Sequence, residues 1–249
     1  MQVTQRGRRY TVLDDFLDGP ALAEIRRVMT HSTFAPAQGP IQKAEDGTPY
    51  KSRTTVVRNG TSDRRTAGGP DTYDRVLDVI TAAPALFGDL GSDWDRVGFT
   101  FWKYPVGSRY GWHSDAGGGR TGAYILFLHD EWRASWGGEL LILDEGVGEP
   151  GESTDTAEVG AAVQRSALSP VAVLPRPNRL VLLSAGTPHQ VNRVDPTAVR
   201  ERCTLTGFVT RRSDGAGAEA RDGLRRFLTS LEGAPAQPGV HSGTSGPGD

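Results

Sequence analysis

Cys203 is the only cysteine in the chain of 249 residues, so no intramolecular disulfide can form and no multi-cysteine zinc or iron–sulfur site can be built. Any metal must rest on histidine and carboxylate. Lysine is also scarce, with Lys43, Lys51 and Lys103 alone among 28 basic residues, and the formal net charge is −2. That balance carries no electrostatic footprint for nucleic acid. No predominantly apolar run approaches the ~20 residues of a membrane span, so a soluble protein with no membrane partner is expected. Residues 1–15 hold basic residues but no apolar stretch of the kind a secretory signal needs, which points to a cytoplasmic location. Arginine in place of lysine, with abundant alanine and glycine, suits a GC-rich bacterial genome.

What is present suits one domain with extensions, taken as residues 1–232, long enough to bury a core around a dry pocket. The tail 233–249 is mostly Gly, Pro, Ser and Ala, with too little apolar surface to offset its ordering entropy. It is expected to be disordered, with His241 solvated. Residues 11–17 read as a strand and turn, and Pro20 to Met29, with Leu22, Ile25 and Val28 at helical spacing, as a helix. Asp71 to Phe87, with Tyr73, Val76, Leu77 and Ile80 on one side, reads as a second helix ending near Gly88. These form an N-terminal helical support over residues 10–90. Between them, residues 31–72 show periodicity only at 53–58, a strand.

From residue 97 the pattern changes to strands at 97–104, 124–128, 139–143, 180–183 and 203–209, separated by turns bearing Gly and Pro. Such a run without interleaved helices predicts a mainly β fold with flanking helices (α+β), a sandwich or barrel. Residues 145–169, rich in Gly, Glu, Ser, Thr and Ala, separate two strands by more than a hairpin uses. They are read as a mobile insertion, a lid or a disordered segment.

Within this β region lies His113-Ser114-Asp115, followed much later by His189. In an extended segment residues 113 and 115 point to one face, because side chains alternate with period two. Two imidazoles and one carboxylate leave three octahedral positions open, which suits Fe(II) that must take an organic co-substrate and dioxygen. Zinc with an activated water, as in a metal-dependent hydrolase, would use the same ligands. A jelly-roll binding protein without turnover is the reading from another class.

Around this triad stand Tyr104-Pro105, Tyr110-Gly111-Trp112-His113-Ser114-Asp115, Trp136-Gly137-Gly138-Glu139-Leu140, Pro177-Asn178-Arg179-Leu180 and His189-Gln190-Val191, then Arg202. In this order they resemble the 2-oxoglutarate- and Fe(II)-dependent dioxygenases of prolyl-4-hydroxylase type, over residues 97–210. The leading Asp14-Asp15-Phe16-Leu17 is similar to the family's start, while 31–72 matches nothing. The resemblance implies a double-stranded β-helix, a distorted cupin-like jelly roll, with His113, Asp115 and His189 on iron. It implies 2-oxoglutarate and dioxygen as co-substrates, ascorbate as a support, and a later arginine for the distal carboxylate of 2-oxoglutarate, which a guanidinium can meet with two bonds.

Counting back from Phe208 in the family's strand pattern selects Arg202 over Arg200, with Arg193 too close to His189. Alternation puts Thr204 and Thr206 on the face of Arg202. Tyr104 and Thr206 could add hydroxyl contacts to the co-substrate, and Phe127 packing alone. Arg53, Arg109, Trp112 and Arg120 are candidates for the substrate entrance. A carboxylate at 115 argues for hydroxylation, since related halogenases have a small residue there. The substrate favoured is a small molecule, an amino acid or a natural-product intermediate; a peptidyl-prolyl or other protein side-chain hydroxylase is the alternative, and the oligomeric state is left open.

Overall fold

The N-terminal third is built to back a sheet. The structure, a computed structural model, describes residues 1–37, 46–61, 69–148 and 155–211. In chain order come β1 (Gln2–Arg6), β2 (Tyr10–Asp14), α1 (Gly19–Thr30), β3 (Phe34–Pro36), β4 (Tyr50–Ser52) and β5 (Val56–Asn59). Next are α2 (Asp71–Thr81), α3 (Pro84–Phe87), β6 (Arg96–Tyr104), β7 (Tyr110–His113) and β8 (Arg120–Phe127). The last are β9 (Leu140–Ile142), α4 (Thr156–Arg165), β10 (Val171–Val173), β11 (Leu180–Ser184), β12 (His189–Val191) and β13 (Arg202–Thr210). Helix α1 starts where Asp18 accepts the Ala21 N–H with Pro20 in the first turn, and it buries Ala21, Ile25 and Met29. The single helix expected over 71–87 is two, because Pro84 cannot continue α2: it lacks an N–H, and its ring restricts Ala83.

Nine strands form a large sheet in the order β1-β2-β11-β8-β13-β6-β4-β3, with β5 also on β6; four short strands form a second sheet, β10-β9-β12-β7. Every pairing within the two sheets is antiparallel. This is the double-stranded β-helix, whose two sheets enclose a cavity.

Alternation divides each long strand between two interiors. Val97, Phe99 and Phe101 of β6, Tyr124 and Leu126 of β8, Leu180 and Leu182 of β11, and Cys203, Leu205 and Val209 of β13 join the core under α1 and α2. The intervening Ile125, Phe127, Val181 and Leu183 meet Leu140, Ile142 and Val173 of the small sheet. Further along, Gly98, Thr100, Trp102, Tyr104, Arg202, Thr204 and Thr206 occupy the same inward face and line the cavity.

Two expectations are corrected. Besides β5, at the strand expected over 53–58, residues 31–72 hold β3 and β4, which widen the large sheet past β6. Their periodicity is hidden because each is short and set by pairing, not by apolar content. Within 145–169 lies α4, capped by the Asp155 carboxylate on the Ala157 and Glu158 N–H groups and packed on β7. A helix therefore does interrupt the run of strands, and this part of the expected mobile insertion is regular structure. Its burial rests on Val159, so the apolar signal was weak. Residues 149–154, the boundary at 232, the tail 233–249 and His241 lie outside the described residues.

Candidate metal centre

The antiparallel register of β12 and β7 sets His189 directly opposite His113. Asp115 follows in the connection after β7. Each imidazole donates its Nδ1 hydrogen to a backbone carbonyl two residues back, His113 to Gly111 at 2.7 Å and His189 to Thr187 at 2.9 Å. That fixes the tautomer and turns both Nε2 atoms inward. They lie 3.8 and 3.4 Å from the Asp115 carboxylate oxygens, and the three ligand atoms fall within 4.8 Å of one another.

Both histidines are buried, and their electrostatics differ. Burial, with the charge of His189 beside it, pushes His113 down to about 4. Burial alone would raise Asp115, but the charge and hydrogen bond of His189, then His113 and Arg120, outweigh it and draw the carboxyl down to about 2. His189 is raised, because Asp115 offsets its desolvation. The donor set is two imidazoles and an ionised carboxylate, which fits Fe(II) with open positions.

A cavity of about 420 Å³ opens beside these ligands. At its back lies Arg202, 1% exposed and 5.0 and 4.8 Å from the ring centres of Tyr104 and Phe127. Its Nε donates to the Gly138 carbonyl at 2.8 Å, while Nη2 is buried with no partner, as is the Thr204 hydroxyl. Burial lowers the guanidinium to about 10, so it sits where an anion would relieve it. Arg200 is exposed. The Gly137-Gly138 turn has φ of 64° and 69°; a Cβ on Gly138 would stand 3.0 Å from Arg202 Cδ, and one on Gly137 2.3 Å from the Arg193 carbonyl oxygen. Glycine is required at both.

Of the other residues singled out by sequence, Tyr104 and Thr206 line the cavity. Phe127 packs behind Arg202, outside the lining. Arg120 stacks on Phe208 at 4.0 Å, close enough to Asp115 to act on its charge. Arg109 is engaged elsewhere: with Arg193 it grips the Asp46 carboxylate, at 2.7 and 2.6 Å, and this carboxylate is only 2% exposed. Trp112 lies beside α4, near Gly160. Arg53 is exposed, its N–H bound to the Thr33 carbonyl. These last three are not brought to the cavity.

Sequence reasoning missed Lys51, Trp102 and Tyr110 as lining residues. Trp102 was within reach, two residues before Tyr104 on an alternating strand, and Tyr110 lies one strand length before His113. Lys51 carried no signal, since its strand exists only through pairing with β6. Trp102 stacks on Tyr104 at 5.9 Å and meets Tyr110 edge-on at 5.7 Å, and Tyr110 meets His113 at 4.9 Å. An aromatic wall thus runs from Lys51 to the metal ligands.

A double-stranded β-helix holding two histidines and an aspartate beside a buried, half-satisfied arginine defines a non-haem iron oxygenase. The comparisons agree: residues 99–210 match the profile of the 2OG-Fe(II) oxygenase superfamily, and the fold is prolyl-4-hydroxylase-like. The protein is a dioxygenase that uses Fe(II), 2-oxoglutarate and dioxygen. No curated protein matches the chain. Among solved structures it is similar to a prolyl-4-hydroxylase of Pseudomonas putida (21% identity, 83% of this chain and 94% of that one covered, TM-score 0.55). A prolyl hydroxylase of Trichoplax adhaerens, solved with a hypoxia inducible factor peptide, is similar at 16% identity (82% and 84%, TM-score 0.51). An oxidoreductase of the 2OG-Fe(II) oxygenase family from Burkholderia pseudomallei is similar at 15% (82% and 86%, TM-score 0.50). No helix among the described residues is long and apolar enough to cross a membrane.

Proposed function

We propose that the protein is a cytoplasmic hydroxylase of a small molecule, with His113, Asp115 and His189 holding Fe(II) and Arg202 anchoring 2-oxoglutarate. The observation that carries the anchor is the buried, unpartnered Nη2 of Arg202, with the unpartnered Thr204 hydroxyl on the same strand face. A charge left so would cost several kcal/mol, and a carboxylate between the two groups removes that cost. When bound, iron and its co-substrate supply the oxidation of a C–H bond, with 2-oxoglutarate decarboxylated to succinate. The chain contributes position. Arg202 is itself held by Gly138 and by the rings of Tyr104 and Phe127, so the co-substrate would be oriented from a fixed point. The Gly111 and Thr187 carbonyls, by accepting the Nδ1 hydrogens, hold both rings with Nε2 turned to the metal position. Trp102, Tyr104 and Tyr110 keep water from the reacting side.

A small substrate is supported by the size of the cavity, about 420 Å³, which lies in the range of small-molecule sites and must hold the co-substrate too. A protein side chain is the second reading, favoured by the apolar rim where Val57 is 55% and Phe208 36% exposed. The free buried thiol of Cys203 suits a reducing compartment. Succinate formation from 2-oxoglutarate with Fe(II), ascorbate and air tests the assignment. Turnover in the wild type, lost in Asp115→Ala and Arg202→Ala and kept in Arg200→Ala, is expected; wild-type turnover no higher than that of Asp115→Ala would sink it. Stimulation by small acids and not by proline-containing peptides separates the two substrate readings.

A further inference from the structure

The charges inside the site cancel once its co-substrate is present. Two positive charges of iron and one of Arg202 meet one negative charge of Asp115 and two of 2-oxoglutarate, while the histidine ligands are neutral. Lys51 is left over. It lies on β4 opposite Trp102 of β6, so the two residues share the inward face, and it lines the same cavity as the metal ligands. Among the described residues its ammonium group has neither ion pair nor hydrogen bond. The nearby Glu201 is turned to Lys103, on the other face of the sheet and over the Phe34 ring. Arg120, stacked on Phe208, adds a second positive charge on the Phe208 side of the cavity, close enough to Asp115 to act on its charge.

The cavity lining otherwise offers hydroxyls (Thr55, Thr100, Thr210) and apolar or aromatic surface (Val57, Trp102, Phe208). Among the described residues Asp115 is the only carboxylate on it, and it is committed to the metal. An ammonium group on a substrate would therefore find no counter-charge among the described residues and would face two cations. A carboxylate would find one cation at the end of the aromatic wall.

We propose that the substrate is a small carboxylic acid with an apolar body and no cationic group, and that Lys51 receives its carboxylate. Acylated amino acids and simple alkyl or aryl acids meet this description; free amino acids do not. The proposal rests on the oxygenase reading above and deepens it. Lys51 would set specificity, holding one end of the substrate while Trp102 and Tyr110 guide its C–H bond towards the metal.

Binding to the anaerobic Fe(II)·2-oxoglutarate protein, which cannot turn over, provides the test. N-acetyl-leucine, N-acetyl-proline and N-acetyl-phenylalanine are each compared with the matching amide and the free amino acid by calorimetry. At least one acid is expected to bind roughly three- to tenfold tighter than its amide and its free amino acid, as a part-exposed charge pair allows. Lys51→Met should remove the preference by weakening the acid alone, and Lys51→Glu should reverse it. Equal affinity of acid and amide in all three pairs, a preference that survives Lys51→Met, tighter binding of the free amino acids, or no binding by any acid would overturn the proposal. Succinate release by the wild type in air decides the oxygenase reading separately.

Discussion

Arg202 brings a full charge into a site where its own chain satisfies Nε and leaves Nη2 bare. Removing it should therefore act on one part of one ligand. Arg202→Ala is expected to weaken 2-oxoglutarate by roughly 30- to 1,000-fold, the range for losing one partner of a desolvated pair. It should leave 2-oxobutyrate, which lacks the distal carboxylate, nearly unchanged; calorimetry on the anaerobic Fe(II) protein reads both. The metal ligands make a second prediction at this scale. His113 is held down to about 4 and is already neutral near pH 7, whereas His189 is raised, so a metal must displace a proton from His189. Iron affinity should fall as the pH is lowered from 8 towards 6, and uptake at the lower end should release protons. A metal dissociation constant that is flat from pH 6 to 8 would contradict this.

Elements differed in how plainly they could be read. β6, β8, β11 and β13 announce themselves because apolar and aromatic residues fill both faces, one against the helices and one against the cavity. β7 and β12 are four and three residues long and mix Gly, Trp and Gln with the ligands, and β10 has three residues; their strand character comes from neighbours, whereas the apolar run of β9 was read at 139–143. The triad was read from residue types and order, and Arg202 from the strand pattern that the resemblance implied. Arg53, Arg109 and Trp112 do not line the cavity; for Arg109 and Trp112, proximity in sequence to the metal motif does not say which way a side chain turns. The turn before β9 gives a test at this scale. Gly138→Ala places a methyl against Arg202 Cδ at an unfavourable φ, and should cost about 1–3 kcal/mol of stability while weakening 2-oxoglutarate. Gly137→Ala, which meets backbone, should destabilise more and affect the co-substrate less. Denaturant melts beside ligand titrations distinguish them.

Across the whole molecule, the large sheet separates stability from chemistry. Leu77 of α2 is fully buried on the side away from the cavity. Leu77→Ala should lower stability by about 2–5 kcal/mol with 2-oxoglutarate affinity intact. Asp46 has the opposite character, since its two arginines flank β7 and β12 at the ends away from the paired histidines. Burial would raise its carboxyl, but hydrogen bonds from Arg109 and Arg193 outweigh this and lower it. A carboxyl lowered by folding contributes stability fully above its unfolded pKa of about 3.9, and loses it as pH falls towards the folded value. Asp46→Asn should therefore cost about 1–3 kcal/mol at pH 7, and the gap from wild type should narrow below pH 4 in acid melts.

His113 and His189 face each other across paired strands yet are distant along the chain, with β8, β9, α4, β10 and β11 made in between. Contacts of that span form late, after the intervening chain has closed its own loops. Time enters here: the three ligands cannot meet until the small sheet has docked, so the chain would collapse and pair most of its strands before it could grip a metal. During refolding, far-UV dichroism should recover ahead of metal uptake, and a chelator added at the start should leave the first phase untouched.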